Sequence, residues 1–472
     1  MSLALSLITI FLGGAAVLDW AFAGHPYSRC HSLLKYFLGF GFGLALWSCF
    51  YIVILFTVGP HLTWIWAKDA ALFFLVAAYF WLRRRYPHSK TRSEVVQDQA
   101  PRWLRVAFFV SACVAIMVFV GSTMRVPEGE WDAWMTWNTR ARFLFRDGTD
   151  FTTIFAAEIA HADYPLLLPG LIAQTWMMLG SESMVVPPMF ALTFSAITMG
   201  ALVVAIVIFR GTASGLIAGL VLLGTPMFTT SAATQYADSV IGSYLLMTCV
   251  LITLAASGMP YRVERLLILS GTAASMMAWT KNEGIFYGLS LLVALAIWKF
   301  GPSQKRLSRL NRITVFLLGA LPVIALLAYF KLKHAPSNDY LQRIIFSDIA
   351  ERITDSNRYT ALFLALGYKF FQFSTWNFFL ICLPLLWLKF GRQSDRLTVA
   401  GPITIALVFI LLGLGAVVLI TPYRMDFQIA NSMDRLLIQC WPSIIFAVFL
   451  GMPPLHPQAR DSLSSKAFEN SG

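Results

Sequence analysis

Apolar runs of membrane length alternate with short polar breaks along the chain, and that alternation predicts nearly every element. Crossing the hydrocarbon layer takes roughly 20 apolar residues in a helix. Runs approaching this length lie at residues 3–22, 39–58, 63–82, 106–123, 185–209, 216–229 and 239–256. Others follow at 266–279, 285–298, 315–330, 376–388, 400–420 and 437–450. The pattern predicts an all-α polytopic integral membrane protein with about 13 transmembrane helices. A further run, 166–180, is entered through prolines and is short for a span, so it reads as a surface or re-entrant helix. Counting it as a span would put Arg210 outside, against the rule that basic loops stay in the cytoplasm.

The polar breaks are of two kinds. Basic residues gather at Arg83, Arg84 and Arg85, at Lys305, Arg306, Arg309 and Arg312, and at Arg392 and Arg396. These mark cytoplasmic loops. The opposite face then carries two long loops, 125–184 and 332–359, and each encodes an amphipathic surface helix. In the first, Trp134, Trp137, Ala141 and Leu144 form one helical stripe, while Thr139, Arg142 and Arg146 share another face. In the second, Leu341, Ile345, Ile349 and Ile353 repeat every fourth residue. No basic stretch precedes residues 3–22 and no small-residue cleavage site stands out, so the first run reads as a retained helix. The N-terminus is expected outside and the C-terminus inside. The chain thus divides into an N-terminal helical part (1–105), a core (106–300), a C-terminal helical part (301–451) and a polar tail (452–472).

Composition agrees: 58% of residues are hydrophobic and 13% charged, against about 25% charged in soluble domains. The net charge of +12 would point to nucleic acid in a soluble protein, but here it sits in the topological loops. Membrane lipids are the expected partners and nucleic acid is not. Six cysteines lie far apart with no CxxC spacing, which supports neither a disulfide framework nor a zinc site.

Residues 127–169 interrupt the apolar pattern most strongly. Three acids (Glu128, Glu130, Asp132) precede three arginines (Arg140, Arg142, Arg146), with Trp131, Trp134 and Trp137 interleaved. The ionisable groups that topology does not explain all fall on the outer face. They are Asp132, the His161–Pro165 run with Tyr164, Asp238 beside Tyr236, Lys281 with Glu283, Arg424, and Asp434 with Arg435. Such groups are costly at helix ends in the leaflet unless paired or functional. Each also has a plain structural reading: Asp132 as a loop carboxylate, Asp238 as an N-cap, Lys281 as a snorkelling side chain, and Arg435 as an anchor opening the last helix. The tryptophans would then be an interface belt.

Six stretches carry a resemblance: EWDAW, WNTRARFLF, DYPLLLP, QYADSVIGSYL, TKNEG and SMDRLLIQCWP. Together they resemble the GT-C membrane glycosyltransferases, in the bacterial branch near the protein O-mannosyltransferases and aminoarabinose transferases. The likeness covers residues 106–300 and 421–442. It implies an inverting glycosyltransferase in the bacterial inner membrane, moving a sugar from a polyprenyl-phosphate donor to a lipid, glycan or protein acceptor at the outer face. On that likeness Asp132 is the base, Asp238 the acid opening a later helix, and Lys281 and Arg435 hold the donor phosphate. Arg424 and Arg142 are further phosphate candidates, and Trp131, Trp134, His161, Tyr164, Tyr236 and Glu283 are candidate substrate contacts. The chain departs from the family in two respects. Its acids run Glu-x-Glu-x-Asp rather than as an adjacent pair, which leaves Glu130 beside Asp132 as a candidate base, and three helices precede the usual first one. No cofactor is predicted, although oxygens of Asp132, Asp238 and Glu283 leave a divalent Mg or Mn open. The rival readings are a secondary transporter, a polymerase or ligase using a diphosphate-linked glycan, and a non-catalytic scaffold. A transporter would show repeats and mid-membrane ions, whereas here the polar groups gather on one face.

Overall fold

The computed structural model of the protein describes residues 2–22, 29–85, 100–156, 161–298, 308–338, 343, 346–376, 379–390 and 394–452. The expected basic residues 86–99, Lys305, Arg306 and Arg392, the apolar positions Leu341 and Ile345, and the tail from 453 lie outside them. No strand occurs among the described residues. The helices are α1 (Leu3–Phe22), α2 (Arg29–Val58), α3 (Leu62–Arg85), α4 (Arg102–Arg125), α5 (Thr139–Arg146) and α6 (Leu167–Leu179). Next come α7 (Val186–Arg210), α8 (Thr212–Leu223), α9 (Pro226–Ala233), α10 (Ala237–Ala256), α11 (Val263–Thr280) and α12 (Glu283–Ile297). The chain ends with α13 (Arg309–Lys333), α14 (Phe346–Thr354), α15 (Ser356–Phe371), α16 (Phe379–Phe390), α17 (Ser394–Ile420) and α18 (Met425–Gly451).

Among the described residues, 9 helices are long and apolar enough to cross a membrane: α1–α4, α7, α10, α13, α17 and α18. A tenth is obtained if α8 and α9 count as one span bent by 63°. The expected 13 would further require α11, α12 and α16 to cross, and these are shorter or less apolar. α6, expected at 166–180, has only 13 residues and is buried from Leu167 to Trp176.

Two boundaries differ from the sequence reading for the same physical reason: polar residues inside a helix are satisfied by neighbours. α2 starts ten residues earlier than expected, and its buried Lys35 is paired with Asp19 of α1 at 2.8 Å. α18 starts at Met425, so Arg435 lies three turns inside the helix instead of opening it. α15 was not anticipated. It begins with Asp355, whose carboxylate accepts the Asn357 N–H at 2.9 Å, and it exposes Phe363, Leu364, Tyr368 and Phe371.

α10 is the centre of the bundle, buried along its whole length except Ser239 and packed on α7, α11 and α18. α11 lies against α13 with backbones in contact. A Cβ on Gly271 would stand 1.9 Å from the Phe316 carbonyl oxygen, and one on Gly319 1.9 Å from that of Ile268. Small residues that let backbones approach are the usual adhesive between membrane helices. α4, by contrast, buries only Leu104 and Phe119. Its remaining apolar surface suits lipid.

Candidate functional site

The start of α10 and the junction of α11 with α12 meet a turn inside α18, and the loop after α4 is fastened beside them through its backbone. Gly129 takes a φ of +78°, and a Cβ there would lie 2.8 Å from the Thr234 carbonyl oxygen. Only glycine combines that conformation with so close an approach. The Glu130 N–H donates to the same carbonyl at 3.2 Å. Gln235, itself at φ +61°, donates to the Pro127 carbonyl at 2.9 Å and accepts from Asn138 at 3.0 Å. Asn138 also donates to the Glu128 carbonyl at 3.0 Å. These bonds place Asp132 beside Tyr236, whose hydroxyl accepts the Asp132 N–H at 3.3 Å.

The cluster itself joins residues up to 303 positions apart in sequence (132 to 435). The Asp238 carboxylate, its side chain 2% exposed, receives Lys281 Nζ at 3.0 Å and Arg435 Nε at 3.0 Å. Gln439, one helical turn beyond Arg435, donates to it as well and is held in turn by the Tyr287 hydroxyl. Arg435 Nη1 reaches Asp132 Oδ2 at 2.7 Å, and the guanidinium lies over the Tyr236 ring at 4.5 Å. Lys281 Nζ makes a second ion pair with Glu283 at 3.1 Å. Arg435 and Asp132 are the accessible pair, with side chains 23% and 26% exposed, while Lys281 is buried. Burial disfavours the Lys281 ammonium, yet Asp238 and Glu283 outweigh that and hold it above its ordinary value.

Two plain readings from the sequence are thereby replaced. Asp238 is not an N-cap: Tyr236 occupies that position, and Asp238 sits in the first turn aiming at cations. Lys281 does not snorkel but is buried between two carboxylates.

Other sequence candidates stand elsewhere. Arg142 and Arg146 both pair with Glu182, at 3.6 Å for Arg142. Arg424 pairs with Asp426 at 2.7 Å and is highly exposed. Asp434 is turned from the cluster and accepts from Lys369 at 2.7 Å and the Trp376 indole at 2.8 Å. Glu130 is exposed. Trp131 and Trp134 are exposed and in contact, their ring centres 5.9 Å apart. Trp134 leaves the expected stripe because residues Ala133–Asn138 form a π-helical turn, whose wider pitch shifts the register before α5. Trp137, Ala141 and Leu144 keep the stripe and are buried. Tyr164 is the link between groups. Its ring stacks with His161 (4.8 Å) and Trp137 (5.6 Å) and lies 6.0 Å from Lys281 Nζ.

A second constellation, built on Arg140 and on Asp163 of the His161–Pro165 run, adjoins the first. Arg140 is wholly buried and donates to the carbonyls of Ala162, Tyr164 and Pro165, holding that loop from behind. Burial pushes its guanidinium down to about 9, with Asp163 and Tyr164 opposing. Asp163 Oδ2 accepts from Asn282 (2.8 Å), Asn338 (2.8 Å) and Lys331 (3.1 Å). Burial opposes that charge, but the Asn338, Lys331 and Asn282 contacts prevail and keep the carboxyl below its usual range. The available signal was position: Arg140 falls between Trp137 and Leu144, on the apolar side of α5.

The three carboxylates considered as metal ligands are each engaged by a cation. No group of three or more His, Cys, Asp or Glu side chains able to hold a metal occurs among the described residues.

Fold and composition define a polytopic all-α membrane protein. No protein-family model, curated protein or solved structure matches the chain. The site's chemistry must therefore be read from its own geometry. Two fixed cations stand beside a reachable carboxylate, at the rim of an apolar helix bundle. Of these, the Arg435 guanidinium and the Asp132 carboxylate are the partly exposed groups, able to exchange an anionic partner and to accept a proton.

Proposed function

We propose that the protein is an inverting glycosyltransferase that uses a polyprenyl-phosphate sugar donor and works at the outer face of the inner membrane. The observation that carries this reading is the convergence of Arg435, Lys281 and the accessible Asp132 on one helix-bundle end. The donor phosphate takes the place of the Asp132 carboxylate at Arg435, whose guanidinium suits a two-oxygen contact. Asp132 is thereby released. It then takes the proton of the acceptor hydroxyl as that oxygen attacks C1 of the sugar. The bond from C1 to the phosphate oxygen breaks on the opposite side, and the departing polyprenyl phosphate is stabilised by Arg435 and Lys281. Asp238, buried and held by both cations, fixes their positions and takes no proton.

Around this centre, Tyr236, Tyr164 and Glu283 line the approach, and Trp131 and Trp134 face outward beside Asp132. Arg142 and Arg424 lie outside the cluster, paired with Glu182 and Asp426, and have no part in the proposed step. The test uses purified full-length protein and a panel of polyprenyl-phosphate sugars. Release of polyprenyl phosphate should be acceptor-dependent and should collapse in Asp132→Asn. Turnover of diphosphate-linked donors alone would favour the polymerase or ligase reading, and equal rates in the variant would remove Asp132 as base.

A further inference from the structure

Lys281 is presented by a short non-helical link. α11 ends at Thr280, Lys281 itself is extended (φ −147°, ψ 155°), and α12 begins at Glu283. The link is held through its backbone, the Lys281 N–H donating to the Met277 carbonyl at 3.0 Å and the Lys281 carbonyl accepting from Gly284 at 3.0 Å, and the side chain of its neighbour Asn282 is fastened as well. The Asn282 Nδ2 donates to Asp163 Oδ2 at 2.8 Å, while its Oδ1 accepts from Lys331 Nζ at 2.9 Å. Lys331, near the end of α13, also reaches the Asp163 carboxylate at 3.1 Å, and Asn338 completes the set at 2.8 Å. Asp163 is 1% exposed. Its own loop is held by the buried Arg140, and the next residue, Tyr164, places its ring beside Lys281.

We propose that Asp163 is a positioning residue for Lys281. Its carboxylate clamps Asn282 between the 161–165 loop and α13, and so aims the adjacent ammonium at the phosphate site. The inference rests on the phosphate-binding reading above. It adds a residue that touches neither donor nor acceptor and acts through the link. An acid serves here because one carboxylate oxygen can accept from two amides and an ammonium together. An asparagine oxygen in that place would still accept, but without the negative charge that pairs with the Lys331 ammonium.

A structural anchor and a positioning residue differ in what they couple to. The test measures the Kd of farnesyl phosphate, which carries the same headgroup on a short isoprenoid chain, for the full-length protein in nanodiscs. Lys281→Ala should weaken binding on the order of tenfold, the value of one charge-assisted phosphate contact. Asp163→Asn should weaken it by a similar factor. The Asp163→Asn/Lys281→Ala double variant should bind no more weakly than Lys281→Ala alone, whereas Asp163→Asn combined with Arg435→Ala should show the product of the two single effects. Asn282→Ala, which cuts the link but leaves Asp163 bound to Lys331 and Asn338, should repeat the pattern. It decides the matter where Asp163→Asn does not fold. Wild-type affinity in Asn282→Ala, or equal additivity with both cations, would overturn the positioning role while leaving phosphate binding intact. Farnesyl phosphate binding indifferent to both Lys281→Ala and Arg435→Ala would overturn the phosphate reading itself and the inference with it.

Discussion

Replacing Asp238 with alanine tests whether the buried carboxylate is the keystone of the cluster. The change leaves Lys281 and Arg435 without the anion they share, in a place where neither is well hydrated. Removing one partner of a buried ion pair costs about 3–5 kcal/mol. The geometry argues for the lower end. Lys281 retains Glu283 at 3.1 Å and Arg435 retains Asp132 at 2.7 Å, and both remaining carboxylates are partly solvated. We therefore expect a loss of about 3 kcal/mol. Asp132→Asn removes only the outer pair, which lies at the surface, and should cost at most about 1 kcal/mol. The assay is reversible unfolding of the full-length protein in mixed micelles, with both variants compared under identical conditions. Loss of the Asp238 carboxylate at a cost no greater than that of Asp132→Asn would refute the assignment of Asp238 as the anchor of both cations.

The other expectations are briefer. Asp132→Asn should retain donor binding while transfer falls by about 10²- to 10⁴-fold, the usual contribution of a general base; Glu130→Gln, at an exposed position outside the cluster, should stay near wild-type rates, and the reverse outcome moves the base two residues upstream. Asp163 has a folded-state value below its unfolded one, so its clamp stabilises fully above the ordinary carboxylate range near about 3.9 and is lost as pH falls through the lower folded value. Unfolding measured through that acid range should show this slope in the wild type and a shallower one in Asp163→Asn; identical slopes would refute it. Topology is checked by single cysteines in a background lacking the exposed Cys382: Thr152→Cys should react with an impermeant reagent on intact cells and Arg84→Cys only after permeabilisation, and labelling of Arg84→Cys on intact cells would invert the orientation.

Most helices were legible because their apolar runs need no partner to be recognised; α1 runs from Leu3 to Phe22, as its hydropathy indicates. Where the sequence failed, tertiary pairing was the reason. Lys35 fell outside the expected run although Asp19 neutralises it, and 425–436 fell outside the last run although partners meet its charges, Arg435 by Asp132 and Asp238 and Asp434 by Lys369 and Trp376. Asp132, Asp238, Lys281 and Arg435 could be picked out individually, as charges on a face where topology does not call for them. Their meeting could not be read locally, since no spacing rule relates positions 132, 238, 281 and 435. Arg140 and Asp163 were harder still. Arg140 acts on carbonyls more than twenty residues on, and the role of Asp163 depends on Lys331 and Asn338, contributed by a helix end and loop far along the chain.

The most direct test of the account is mass spectrometry of the lipid that co-purifies with the full-length protein, wild type against Lys281→Ala/Arg435→Ala. The account predicts a polyprenyl phosphate or its glycoside in the wild type and its loss from the double variant. Equal retention in both, or a carrier linked only through a diphosphate, would contradict it.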